Sequence, residues 1–211
     1  MLNTNEKREL YIHYSLCLTG GFMGAYSIIN RSGIFGSAQT ANLICSVLDL
    51  TQGNLGSLLL RLTALFLFIL PMMAAVILPR LYHINLPLFC ILLELIVTVA
   101  LGLLPENIHP MIALYPVCFI MSLQWCTFSS IKGYLCSTIF STNNLRQFIS
   151  ALCEYRLEKD KKHLEKAKVY GETLLFYHLG VGAAALSSPY LGIRSIWICL
   201  IPLSLSLTQL R

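Results

Sequence analysis

The side chains that could do chemistry in this 211-residue chain are few, and each has apolar neighbours. Glu94 stands between Cys90-Ile91-Leu92-Leu93 and Leu95-Ile96-Val97. A carboxyl there either binds a proton or cation, or stays neutral and hydrogen-bonds between helices. Two short signals repeat in the two halves, Thr40-Ala41-Asn42-Leu43 and Thr142-Asn143-Asn144-Leu145. A helix entering at Thr40 or Thr142 has a good N-cap residue, unpaired N–H groups and a positive dipole end. Two such termini within a membrane would draw an anion or a carbonyl-rich solute; at its surface they would be plain caps. Gln124 and Asn30, with Tyr26 and Ser27, add uncharged hydrogen-bonding groups that can line a solute route or glue helices together. The candidate solute contacts are therefore Asn42, Thr40, Asn144, Thr142, Gln124, Glu94 and Asn30.

No nucleophile can be paired with a base. The chain has no P-loop, no G-x-S-x-G, no H-E-x-x-H and no dinucleotide fingerprint. Its five histidines, at 13, 83, 109, 163 and 178, are too scattered for a metal site. Neither enzymatic activity nor a cofactor or metal is expected.

The elements that must position these groups are membrane helices. Mean hydropathy is +0.68, and 12% of residues are charged, against about 25% in ordinary globular chains. The expected fold is all-α, a polytopic helical membrane protein of about six spans. These run near 11–30, 55–79, 86–104, 111–131, 171–189 and 193–210. The first follows a charged start, Met1 to Leu10, and lacks the pure apolar core of a cleaved signal peptide, so it is read as a retained span. Polar breaks at 31–40 and 132–142 each lead into a short helix.

Lysines and arginines set the orientation. With the N-terminus in the cytoplasm, twelve of the fifteen fall inside and Arg31 and Arg194 fall outside, while Arg61 lies within a span. Both termini are then cytoplasmic. The net charge of +5 is concentrated at Lys159, Lys161, Lys162, Lys166 and Lys168. That describes one loop rather than a nucleic-acid-binding face, so no nucleic acid partner is expected. The order of parts repeats, with Gly33 and Gly133 in the two breaks. Three spans per half make the second half start from the opposite side, an inverted repeat, with chance similarity as the rival explanation. The halves are residues 1–107 and 108–211, the second carrying a charged cytoplasmic helix over 154–168.

Other residues have structural readings. Arg61 lies about 9 Å inside its span by helical rise and can snorkel outward, or pair with Glu94. Glu172 is expected at the interface, and His178 to hydrogen-bond a neighbouring helix. Gly20, Gly24, Gly180, Ala184 and Ser188 have helix-packing spacing. The eight cysteines form no C-x-x-C pair and are expected as free thiols.

Gly21-Phe22-Met23-Gly24-Ala25, Gly33-Ile34-Phe35 and Thr40-Ala41-Asn42 resemble the YoaK-like family of bacterial multi-spanning membrane proteins. Ser122-Leu123-Gln124 and Thr142-Asn143-Asn144-Leu145 resemble its second signal. The family has Asp where this chain has Gly24, Gly where it has Ala41, and Asn where it has Trp125. The resemblance spans nearly the whole chain and implies a bacterial inner membrane and a transporter-like role, with no substrate. Without the Asp, position 24 cannot couple protons. The expected function is a small secondary transporter or permease for a small polar solute, with Glu94 as the coupling group. The alternative is a non-transporting regulatory or scaffolding partner docking through 154–168. Expected partners are the bilayer and the solute, with a homodimer left open.

Overall fold

A computed structural model describes residues 4–210, and these are almost entirely helical. In chain order they form α1 (Thr4–Asn30), α2 (Thr40–Thr51), α3 (Leu55–Tyr82), α4 (Leu86–Leu101) and α5 (Pro110–Thr127). A small hairpin follows, β1 (Ser130–Ile131) and β2 (Tyr134–Leu135), then α6 (Thr142–Glu158) and α7 (Lys161–Leu191). A 3₁₀ segment (Gly192–Cys199) leads into α8 (Leu200–Gln209). This is an all-α membrane protein, as its composition requires.

Helix boundaries follow local chemistry. Asn54, Asn85 and Asp160 cap α3, α4 and α7 with side-chain oxygens that accept from backbone N–H groups of the first turn. Pro87 and Pro110 stand in the first turns of α4 and α5, where a missing N–H costs nothing.

The structure amends three expectations. The charged stretch 154–168 is not one helix: α6 ends at Glu158 and α7 begins at Lys161, with Lys159 left-handed at the elbow. His163 on α7 reaches back across it to Glu154 at 3.0 Å and Glu158 at 2.9 Å. The fourth span, expected to reach Ile131, ends at Thr127, and the β1–β2 hairpin takes up Ile131 and the start of the second break. The sixth span begins as 3₁₀ helix.

The helices α3, α5 and the run Lys161–Gln209 are long and apolar enough to cross a membrane. The last folds back at Gly192, whose positive φ turns the chain. Asn30 donates to Ser188 just before that turn, while Arg8 donates to the Gln209 carbonyl after it. The 3₁₀–α8 arm therefore runs antiparallel to α7, alongside α1.

Helix α1 is the central post. It is buried along most of Ile12–Ser27 and packs on α7, α8 and the 3₁₀ segment. It can be less apolar than α3 because protein rather than lipid surrounds it. Glycine makes its seam with α7: a Cβ on Gly21 would overlap the Tyr177 carbonyl, and one on Gly180 would overlap the Leu18 carbonyl. His13 and Thr173 meet at 3.0 Å, and Tyr14 donates to Glu172. Lys168 also reaches Glu172, at 3.7 Å. Helix α3 instead turns Leu59, Phe66, Ile69, Met73 and Val76 outward. Its exposed apolar flank is the lipid-facing surface that hydropathy requires.

The packing scheme is the same when the halves are exchanged. Helix α1 packs on α7 as α5 packs on α3, α1 packs on α8 as α5 on α4, and α2 packs on α3 as α6 on α7.

Candidate functional site

Both breaks use one backbone device. Ser32 and Gly33 have positive φ, and so do Lys132 and Gly133. Two consecutive positive φ values are what a type I′ turn needs, and glycine takes the second without strain. Each chain then enters a helix at a threonine. The caps are Gln39 and Ser141, one residue before the expected Thr40 and Thr142, and neither side chain accepts from a backbone N–H of the first turn. The opening N–H groups of α2 and α6 are thus left without side-chain caps.

Each helix carries an asparagine at its third residue, and each asparagine reaches back into its break. Asn42 donates to Gln39 Oε1 at 3.0 Å. Asn144 donates to the carbonyls of Ser137 at 2.7 Å and Phe140 at 2.9 Å, and accepts from the Ser137 N–H at 3.3 Å. Both asparagines are buried.

The two breaks meet at one cavity of about 780 Å³. Gln39, Thr40 and Leu43 line it from the first half, and Ser141, Thr142, Asn143 and Arg146 from the second. Phe35, Phe68, Trp125, Phe140 and Tyr177 complete an aromatic wall. Helix α2 has 12 residues, about 18 Å at 1.5 Å each, too short to cross a bilayer of roughly 30 Å. It and α6 start at the cavity and leave it within different halves. The arrangement offers an apolar body-binding surface with hydroxyls, two amides, two positive helix ends and the Arg146 guanidinium at its polar part.

Thr40 and Thr142 line this cavity; the other five candidates do not. Asn42 and Asn144 hold the breaks in shape behind it. Gln124 is buried and donates to the Leu16 carbonyl at 3.2 Å and Thr138 Oγ1 at 2.7 Å, tying α5 to α1 and to the second break. Asn30 bonds Ser188 at 3.1 Å and joins α1 to α7. Glu94 lies on the α4 face turned toward α8 and the 3₁₀ segment, and Cys90 Sγ donates to it at 3.3 Å.

Arg61 neither snorkels alone nor meets Glu94. It donates to Asp49 Oδ2 at 2.8 Å and to Asn42 Oδ1 at 3.2 Å, pinning α2 to α3. His178 is exposed and bonds the Leu174 carbonyl of its own helix rather than a neighbour. All eight cysteines are free thiols.

Sequence reasoning passed over Asp49, the aromatic wall and Arg146. Asp49 had a signal, since it is the acidic residue nearest in sequence to Arg61. The aromatic residues had none, because their neighbours in sequence are as apolar as they are. Gly24 and Trp125, where the chain departs from the pattern it resembles, both border the cavity: Trp125 lines it, and Gly24 faces Phe35 and Tyr177.

No curated protein and no solved structure matches this chain. One family model does, over residues 12–208, and its description is a protein of unknown function, DUF1275. A match from the buried part of α1 through α8 makes this chain a member of the DUF1275 family.

Proposed function

We infer that the protein is a small secondary transporter whose solute route runs through the seam between its halves. The observation that carries this is the cavity lined by both breaks. Exchange-symmetric packing supports reading residues 1–107 and 108–211 as inverted repeats. In such repeats, half-helix N-termini converge on a solute site near mid-membrane. Arg146, exposed at the start of α6 and bonded to Asn143 Oδ1 at 3.0 Å, offers a guanidinium to an anionic end. The aromatic wall narrows the expected polar solute to one with an apolar or aromatic body and a polar or anionic end. The YoaK-like motifs and the one-sided distribution of Lys and Arg support a bacterial inner membrane with both termini cytoplasmic. No bond-breaking chemistry is assigned to the site, and a homodimer is compatible with it.

The test is a thermal-unfolding screen of detergent-purified protein against small metabolites, because a ligand of the folded state raises its midpoint. Stabilising compounds are then followed into proteoliposomes. Thr40→Trp and Thr142→Trp fill the cavity without touching the Asn42 or Asn144 bonds, and each should lower uptake at least about tenfold while the protein stays monodisperse. Uptake equal to wild type in both variants would overturn the reading.

The exposed, lysine-rich elbow between α6 and α7 favours one alternative, a docking role without transport. Cross-linking in native membranes separates the two: a stoichiometric protein partner lost when the elbow is neutralised supports docking.

A further inference from the structure

Arg31 directly follows α1 and is 3% exposed. Its Nε and Nη2 are buried, and no carbonyl or carboxylate among the described residues accepts from them. A guanidinium keeps its proton in a protein, and an uncompensated charge in a low-dielectric interior is strongly destabilising. Tyr26, fully buried beside it, also has a hydroxyl without a partner. The hydroxyl lies within reach of the guanidinium, and beyond each other neither group meets an acceptor among the described residues.

The buried carboxyl is linked to this pair through Cys199. Tyr26 neighbours Cys199, and Cys199 neighbours Glu94. Glu94 Oε2 is unpartnered, as is Thr98 Oγ1 one turn further along the same α4 face. Among the described residues, Arg31 and Glu94 are the only Lys, Arg, Asp or Glu that are buried.

We propose that Arg31 and Tyr26 bind a small monovalent anion, and that Glu94 sets the occupancy: the anion is held while Glu94 carries a proton and is released when Glu94 ionises. Charge balance supports this. Arg31 alone leaves the interior at one positive charge, and either an ionised Glu94 or a bound anion returns it to zero, whereas both together overshoot.

No other charged group does that work. On α4 itself Glu94 faces Cys90, and from the 3₁₀ segment Cys199. From α5, Cys126 and Thr127 lie near Cys90, Tyr115 bonds the Leu60 carbonyl and Cys118 takes the Gln39 amide. Helix α8 has no titratable side chain among its residues, the 3₁₀ segment adds the exposed Arg194, and α3 contributes Arg61, held by Asp49, with Arg80 and Tyr82 in its last turn. This site lies outside the cavity between the breaks. It depends on the transport reading only for the corollary that proton and anion move together without net charge.

Sodium chloride and sodium acetate are titrated calorimetrically into the detergent-purified chain in anion-poor buffer, at mildly acidic and mildly alkaline pH. At least one salt should bind, about tenfold tighter on the acidic side. Chloride alone marks an inorganic ligand, and acetate alone a carboxylate. Glu94→Gln should bind tightly at both pH values, and Arg31→Gln at neither. Arg31→Lys keeps the charge but loses the fork, so it should bind more weakly with the same pH trend. Wild-type binding that ignores pH, binding that survives Arg31→Gln, or no binding by either salt would overturn the proposal. Binding without flux would leave the site standing and remove the transport reading instead.

Discussion

The two breaks reach the same backbone shape by different chemistry. The first, 31–39, is held by side chains: Asn42 grips Gln39, and Arg61 grips Asn42 and Asp49. The second, 128–141, is held by backbone: the β1–β2 hairpin closes it and Asn144 bonds three main-chain groups. The cavity side differs as well. At Gly24 on α1 the Phe35 ring takes the place that a side chain would fill, whereas Trp125 on α5 lines the cavity with its own indole. A symmetric frame therefore carries an asymmetric lining. What the halves share is turn geometry and helix starts; what they hold is set separately in each.

The helix seams should separate the halves most sharply. Gly21→Leu would drive a side chain into the Tyr177 carbonyl, costing about 3 kcal/mol or more, enough to abolish monodisperse protein on gel filtration. The matching α5–α3 contact is a hydrogen bond from Ser122 Oγ to the Phe68 carbonyl at 2.5 Å. Ser122→Ala should cost only about 1 kcal/mol. Equal losses would mean that both seams depend on close backbone approach.

The asparagines come next. Asn144→Leu strands three half-buried main-chain groups and should cost about 2 to 3 kcal/mol in thermal unfolding. Asn42→Leu strands only the Gln39 amide oxygen and one arm of Arg61, and should cost about 1 to 2 kcal/mol. The reverse order would place the stronger constraint in the first break.

The smallest effect is at the α2–α3 ion pair. A double-mutant cycle with Asp49→Asn and Arg61→Gln should give about 1 kcal/mol of coupling, the usual size for polar contacts between membrane helices. No coupling would show α2 held by Asn42 and packing alone.

Span order and break positions were legible because hydrophobic run length is a local property. The fourth span and the second break could be parted by composition, but the helix ends at Thr127 rather than at the expected Ile131. The role of Asn42 and Asn144 was only half legible. Their repetition marked them as special, but a repeated amide reads the same whether it faces a solute or props the loop beside it. Glu94 was visible as a costly carboxyl, while Arg31 passed as an ordinary outside residue, since burial is decided by neighbours distant in the chain.

By itself the sequence determined that this chain lies in lipid, where its helices break, and which small residues allow helices to touch. These follow from transfer free energy and backbone sterics, which act over a few residues. Tertiary structure alone decided that Thr40 and Thr142 share a cavity, that Arg61 answers to Asp49, and that Arg31 is buried as Glu94 is. Each of these depends on helix pairs that only packing brings together, and apolar stretches of similar composition carry no mark of which neighbour they will meet.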